Sequence, residues 1–297
     1  MNAPAPRPRP RLIEVGPRDG LHNEKRVVPL DAKVAFIDAL SDAGLADIEA
    51  AAFLDPKASP ALADSQQVFA RITRKPGVSY AALVAGEPGL ELALALKATK
   101  ILVAVDASET HAQKIGRASV AETLARLKPV LARARAARLP ARAVVSYAFW
   151  CPYEGLITPA KVADLARRLE DLGATEWSIG DTLGKASPDE VRRLLGVLLK
   201  AVAPASVSLH FHNTFGRAVA NALVAWKTFG VSRFEASAGG AGGCPWAPRA
   251  AGNASTESLL SAFKAAGADT GVDETKLKAA SAALFAHLGR PPGTRPS

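Results

Sequence analysis

Two cysteines and one methionine in 297 residues, with aromatics at 6%, leave this chain poor in sulfur and in rings. Two cysteines cannot staple a fold together, and so sparing a use of them points to a reducing compartment, by default the cytoplasm. No apolar run reaches the ~18 residues needed to cross a bilayer, so no membrane association is expected. The opening MNAPAPRPRPR lacks the apolar core of a secretory signal, and its prolines forbid the amphipathic helix of a transit peptide. Residues 1–10 read as a short disordered arm. Linkers, low-complexity tracts and shifts of composition are missing as well, which leaves 11–297 as one domain.

What is there is ordinary for a globular protein: 48% hydrophobic and 22% charged residues. A chain this long buries roughly three quarters of its unfolded surface, so it needs no metal to fold and any metal it binds serves chemistry. Lys and Arg number 37 against 28 acids, a net charge of +9. A nucleic-acid face would cluster these with aromatics; here they are scattered over polar helix faces, so no nucleic-acid partner is expected. A positive potential that draws in an anionic small molecule fits better.

The organising pattern is alternation. Short apolar or β-branched runs recur at Leu12–Val15, Asp47–Ala52, Val78–Val84, Ile101–Val105, Ala143–Ala148, Glu176–Gly180, Val207–Phe211 and Arg233–Ser237. Most are followed by amphipathic helices. Val191, Leu194, Leu195, Leu198, Leu199 and Val202 form one apolar stripe, and Val162, Leu165, Ala166 and Leu169 another. Gly44, Gly173 and Gly230 stand where helices should stop. Eight strand–helix pairs in series predict an α/β fold, a (β/α)8 TIM barrel. Helices at Thr256–Ala266 and Glu274–Leu288 make a C-terminal extension. A dinucleotide-binding sheet would need GxGxxG after the first strand, and GPRDG is not that motif.

In such a barrel the active site lies at the C-terminal strand ends. Those ends carry Arg18 and Asp19 in GPRDG, Glu49, Asp181 in GDT, His210 and His212, the run Gly239–Pro245 containing Cys244, and Asn253. Residues two apart on a strand point the same way, so His210 and His212 face the mouth together. With Asp19 and Asn253 they offer nitrogen and oxygen ligands without thiolate, a set suited to Mg or Mn. Arg18 is placed to stabilise an oxyanion. Gly242 and Gly243 belong to a loop able to fold over a ligand and deliver the Cys244 thiol. Cys151 reads as an inert buried residue, and His22, His111 and His287 as structural or solvent-facing.

With VGPRDGL at Val15–Leu21, CPYEG at Cys151–Gly155, GDTLG at Gly180–Gly184, HFH at His210–His212, GGCP at Gly242–Pro245 and Gly252–Asn253, in this order, the sequence resembles the 3-hydroxy-3-methylglutaryl-CoA lyase family. The likeness runs from about Leu12 to the last helix. It implies a metal held by Asp19, His210, His212 and Asn253, an enolate-stabilising Arg18 and an active-site Cys244. Glu49 and Asp181 match carboxylates implicated in the family's site, and Gly242 and Gly243 line the substrate. The implied reaction is metal-aided cleavage of the 3-hydroxy-3-methylglutaryl thioester to acetyl-CoA and acetoacetate, by a homodimer, in leucine breakdown.

That chemistry asks for a base at the tertiary hydroxyl, with Asp181 the first candidate and His210 the second. Arg18 would neutralise the enolate, and Cys244, or His210 through a water, would return the proton. Three departures from the family pattern fall near the strand ends: His22 for Gln, Ala52 for a hydroxyl residue and Val84-Ala85-Gly86 for a Pro-Asn turn. A fourth, Asn213, replaces Asp after the histidine pair. They raise the alternative of a bulkier 3-hydroxy-3-acyl thioester. Two other enzymes share parts of the pattern. A carboligating isopropylmalate or homocitrate synthase carries a longer C-terminal region, and a zinc hydrolase with His-x-His carries that motif on its first strand. An inactive metal-binding scaffold would be expected to have lost Arg18, a ligand or Cys244.

Overall fold

The computed structural model describes residues 7–57, 59–243 and 252–294. Eight parallel strands close into a barrel: β1 (Arg11–Glu14), β2 (Asp47–Phe53), β3 (Ser79–Val84), β4 (Lys100–Asp106), β5 (Ala141–Ser146), β8 (Glu176–Asp181), β9 (Val207–Phe211) and β10 (Arg233–Ala236). Each neighbours the next in chain order, and β1 pairs with β10 and β2 to close the ring. A small antiparallel hairpin, β6 (Trp150–Cys151) and β7 (Gly155–Leu156), stands beyond the end of β5. The TIM barrel read from the alternating pattern is therefore the fold.

Helices surround the strands: α1 (Leu30–Asp42), α2 (Ser65–Arg71), α3 (Glu87–Ala95), α4 (Glu109–Lys114), α5 (Val120–Ala136), α6 (Pro159–Leu172), α7 (Pro188–Leu198) and α8 (Ala218–Phe229). The apolar stripes of α6 and α7 are buried as their spacing requires. Two further helices, α9 (Thr256–Ala265) and α10 (Glu274–Leu288), form the C-terminal extension; α10 packs on α1 and ties the two ends of the barrel wall together. Gly173 and Gly230 end α6 and α8 in the left-handed conformation, at φ +113° and +69°.

Two expectations shift. The fifth strand starts two residues earlier and stops at Ser146 rather than Ala148, because Tyr147 takes a left-handed φ of +55° and gives its N–H to Thr182 Oγ1 instead of the ladder. The expectation of a disordered arm over residues 1–10 also fails for its described part. Residues 1–6 lie outside the described residues, whereas 7–10 are held against the barrel. Trp226 Nε1 donates to Pro8 O at 2.8 Å and Arg9 pairs with Asp269 at 2.7 Å. No described helix is long and apolar enough to cross a membrane.

The barrel interior is filled by charge rather than by the usual branched apolar layers. At the N-terminal strand ends Lys100 and Arg233 both pair with Asp47 and Glu176, at 2.7–3.3 Å. Arg142, fully buried, bonds the same two carboxylates and reaches up to within 3.7 Å of both Glu49 and Glu235. Opposite charges thus alternate along the axis up to the C-terminal mouth.

Candidate active site

GPRDG forms one wide turn in which the N–H groups of Arg18, Asp19 and Gly20 all converge on Val15 O, at 3.2, 2.7 and 3.1 Å. So open a turn is a frequent device at functional sites. It aims Arg18 and Asp19 together at the mouth. Arg18 donates from Nε to Glu49 Oε2 at 2.9 Å, from Nη2 to the same oxygen, and from Nη1 to Asp19 Oδ1 at 2.7 Å. Glu49 is fully buried, so the guanidinium is clamped on a fixed anion.

His210 and His212 leave β9 on one side, their rings 5.1 Å apart. Ligand atoms of Asp19, His210 and His212 all lie within 4.8 Å of one another. The returning chain puts Asn253 beside them: Asn213 N donates to Gly252 O and Ala254 N to Phe211 O, pairing the segment with the end of β9. Asn253 Nδ2 donates to Asp19 Oδ2 at 3.0 Å and to Ala241 O at 3.2 Å, while its Oδ1 is buried with no hydrogen-bond partner. His212 Nδ1 is likewise buried and unpartnered. Buried polar atoms are rarely left so. With oxygen and imidazole donors converging, these orphans fit a hard divalent ion.

Charge organises the rest. Burial would raise Asp19, but Arg18, the two histidines and the Asn253 hydrogen bond hold it well below the usual carboxylate range. Burial together with His210 lowers His212 to about 3, so its ring stays neutral. His210 is raised despite its burial, chiefly by a hydrogen bond from Nδ1 to Glu235 Oε2 at 3.1 Å and by Asp19. That bond leaves Nε2, 3.9 Å from Asp19 Oδ2, facing the cluster. Burial pushes Glu49 up, with Arg18 and Arg142 opposing it.

Asp19, His210, His212, Asn253, Arg18 and Glu49 are thus brought together. Asp181 is not. In the alternation of β8 it is Gly180 that faces inward, and both Asp181 oxygens accept backbone N–H groups of its own turn, Lys185 at 3.0 Å and Ala186 at 2.9 Å. Burial raises it to about 6, against those two bonds. Its carboxylate shapes the loop, which removes it as the first candidate base; the second, His210, turns its Nε2 to the Asp19–His212 cluster. Cys244 lies outside the described residues. Gly242 and Gly243 lead to it and are held by Glu24 and Asn23: Gly242 N donates to Glu24 Oε1 at 3.0 Å, and Asn23 Nδ2 reaches Gly243 O at 3.5 Å.

The remaining motif residues are structural. Cys151 is buried, with its thiol on Ser108 Oγ, and Glu154 accepts Ser108 Oγ and Thr110 N, so CPYEG pins the hairpin to the start of α4. His22 is exposed at one edge, while its other side bonds Ser59 Oγ through Nδ1 at 2.9 Å; the partial burial and nearby Arg18 lower it. Asn213 caps the first turn of α8 through Ala218 N. Three site-supporting residues escape the motif reading: Glu235, Arg142 and Glu24. The signal for the first two is in the strands, where Asp47-x-Glu49, Arg142 and Arg233-x-Glu235 put charge at inward positions with period two.

These features are shared with known proteins. The HMGL-like family profile matches residues 9–284. The chain is 42% identical to hydroxymethylglutaryl-CoA lyase, mitochondrial, of Gallus gallus over 91% of its length and 90% of that protein. A hydroxymethylglutaryl-CoA lyase structure from Pseudomonas aeruginosa superposes with a TM-score of 0.94 at 39% identity, covering 97% of this chain and 95% of that one. An HMG-CoA lyase from Acinetobacter baumannii, solved with coenzyme A and 3-methylmalate, gives 0.91 at 35% identity, covering 96% and 93%. With the same barrel matched end to end, and the sequence with it, the chain belongs to the HMGL-like family.

Proposed function

We propose that the protein is a divalent-metal-dependent carbon–carbon lyase that cleaves 3-hydroxy-3-methylglutaryl-CoA to acetyl-CoA and acetoacetate. The observation that carries this is the Arg18 guanidinium, clamped between Glu49 and Asp19 at the edge of the Asp19–His210–His212 cluster. Breaking the bond between the carbinol carbon and the thioester α-carbon needs the tertiary hydroxyl to lose a proton and the acyl fragment to leave as an enolate. Asp19, His210, His212 and Asn253 would hold the ion, which when bound acidifies the hydroxyl.

The protein's own groups supply the rest. His210, with Nδ1 held by Glu235, presents Nε2 to the cluster as one of the four ligands, and the hydroxyl proton, acidified by the ion, would pass to water at the barrel mouth. Arg18 has five N–H groups, three of them spent on Glu49 and Asp19, and the other two are free to meet the enolate oxygen. Because its partners fix it in advance, it needs little reorganisation as charge develops. Cys244, next in sequence to Gly243, is assigned the proton returned to the enolate carbon. The Acinetobacter complex with coenzyme A supports an acyl-CoA substrate for this chain as well. A homodimer working in a reducing, cytoplasmic compartment completes the reading.

The experiment is acetyl-CoA release from 3-hydroxy-3-methylglutaryl-CoA with Mg or Mn, and again with chelator. Cleavage that stops with chelator and resumes on adding the ion is expected. Binding of the ion with no cleavage of this thioester would overturn the substrate, and bulkier 3-hydroxy-3-acyl thioesters would be tried next.

A further inference from the structure

The chain that follows α10 is built into the root of the glycine-rich segment after β10. After β10 the backbone turns through Ala238–Gly240, where Gly239 at φ +66° lies so close on the Phe285 ring of α10 that a Cβ would collide with it. Five residues beyond the helix, Gly293 N donates to Gly239 O at 2.8 Å. Between these two contacts Arg290 lies over the Phe285 ring, 4.6 Å from its centroid, and donates Nη2 to Glu24 Oε1. That same oxygen accepts Gly242 N at 3.0 Å. Gly242 in turn is packed on the site, since a Cβ on it would stand 3.1 Å from Asn253 Nδ2 and 3.2 Å from Gly20 Cα. The pair is nearly sealed from solvent, with side-chain exposures of 12% for Arg290 and 4% for Glu24.

We propose that Arg290 is a positioning residue for substrate binding, acting through Glu24 to fix Gly242 and hence the stretch that leads into Cys244. Arg290 has no contact with the metal cluster or with Arg18. It works by holding the carboxylate that holds the loop. A charged pair buried to this degree is rigid only while both partners are present, and a lone Glu24 would turn to solvent and release the Gly242 N–H. The proposal rests on the reading that Gly242 and Gly243 border the substrate.

The test compares Arg290→Met, Arg290→Lys and Glu24→Gln with the unaltered chain, using three measurements. Thermal unfolding reports whether each variant is folded. Iodoacetamide alkylation of Cys244, followed by mass spectrometry against buried Cys151, reports on the loop without any substrate. Steady-state kinetics separate KM from kcat. Arg290→Met is expected to alkylate at Cys244 roughly threefold or more faster, and to raise KM about tenfold with kcat changed less than about threefold. Lys, which keeps a donor and the charge, should restore both to within about twofold, and Glu24→Gln combined with Arg290→Met should add little to either single change.

Folded Arg290→Met and Glu24→Gln with unchanged alkylation and unchanged KM would reduce the pair to a structural fastening and overturn the proposal. Should Arg290→Met fail to fold, Glu24→Gln decides it, since it keeps a polar side chain in place and should move both readouts in the same direction. The two readings fail differently. If the reaction assignment is wrong, the unaltered chain shows no turnover, yet the alkylation comparison still stands.

Discussion

Glu235 accepts the Nδ1 hydrogen of His210 at 3.1 Å and so decides which ring nitrogen meets Asp19 and His212. The carboxylate is itself fixed, by Ser178 Oγ at 2.8 Å and Ser208 Oγ at 2.6 Å. Burial would raise it, but His210, Arg142 and Ser208 hold it well below its ordinary value. An anion this firmly kept both orients the imidazole and raises its basicity. Glu235→Gln should therefore weaken Mn binding about 10- to 100-fold. Competition against a chromophoric chelator measures it, and an unchanged dissociation constant would dissociate Glu235 from the cluster.

Arg18 has one role in the proposed reaction and another in the fold, and one substitution should expose both. Arg18→Met removes the donor for the enolate, and kcat should fall by ~10²–10³ with a smaller change in KM. It also strips buried Glu49 of its two hydrogen bonds, so the melting temperature should drop as well. Arg18→Lys should rescue little, because an ammonium cannot fork between Glu49 and Asp19. Recovery of more than about a tenth of kcat by Lys would count against the clamped guanidinium.

Much of this was legible in the chain before any coordinates. The eight runs spaced by amphipathic helices identify the barrel because burial imposes its period on both kinds of element. Arg18, Asp19, His210 and His212 stand out as chemistry-bearing residues at strand ends. What stayed hidden depends on where atoms point. Asp181 looks like a base in GDT, yet its side falls outward and its oxygens go to Lys185 and Ala186, a choice fixed by the local turn. Glu24 and Arg290 are 266 positions apart, and nothing in either neighbourhood announces the other. Ala143–Ala148 misplaced the fifth strand because apolar character continues past the residue where Tyr147 breaks the ladder.

Glu14 gives the protein a pH-dependent stability. It closes β1 beneath the GPRDG turn, accepting Gly16 N at 2.9 Å, Ala238 N at 2.8 Å and Thr256 Oγ1 at 2.7 Å. Burial raises it from 4.5 to about 8, and these bonds only partly offset that. The folded state thus keeps a proton that the unfolded chain gives up. Its contribution is complete below about 4.5 and is lost as pH climbs through about 8. Gln mimics the protonated form, with an oxygen for the two N–H groups and a donor for Thr256. Urea unfolding at pH 5.5 and 8 should show the unaltered chain losing on the order of 3 kcal/mol relative to Glu14→Gln. Parallel pH profiles for the two proteins would show that Glu14 is ionised throughout.

Arg142 is where stability and catalysis meet inside the barrel. Lys100 and Arg233 also neutralise Asp47 and Glu176, so those two carboxylates would survive its loss. Glu49 and Glu235 are different, since beneath them Arg142 is the nearby cation, 3.7 Å from each, and both are buried. Arg142→Met should cost ~3–5 kcal/mol, the range for removing one partner from a buried charge network. Replacing partly exposed Arg233 should cost less. The damage should also travel upward. Without Arg142 below, both carboxylates ionise less readily; a protonated Glu49 grips Arg18 weakly and a protonated Glu235 no longer anchors His210. The acid limb of kcat should then move to higher pH, with kcat at neutral pH down about tenfold. A variant destabilised as expected but with an unshifted acid limb would confine Arg142 to holding the barrel, leaving the site to its own upper layer of charges.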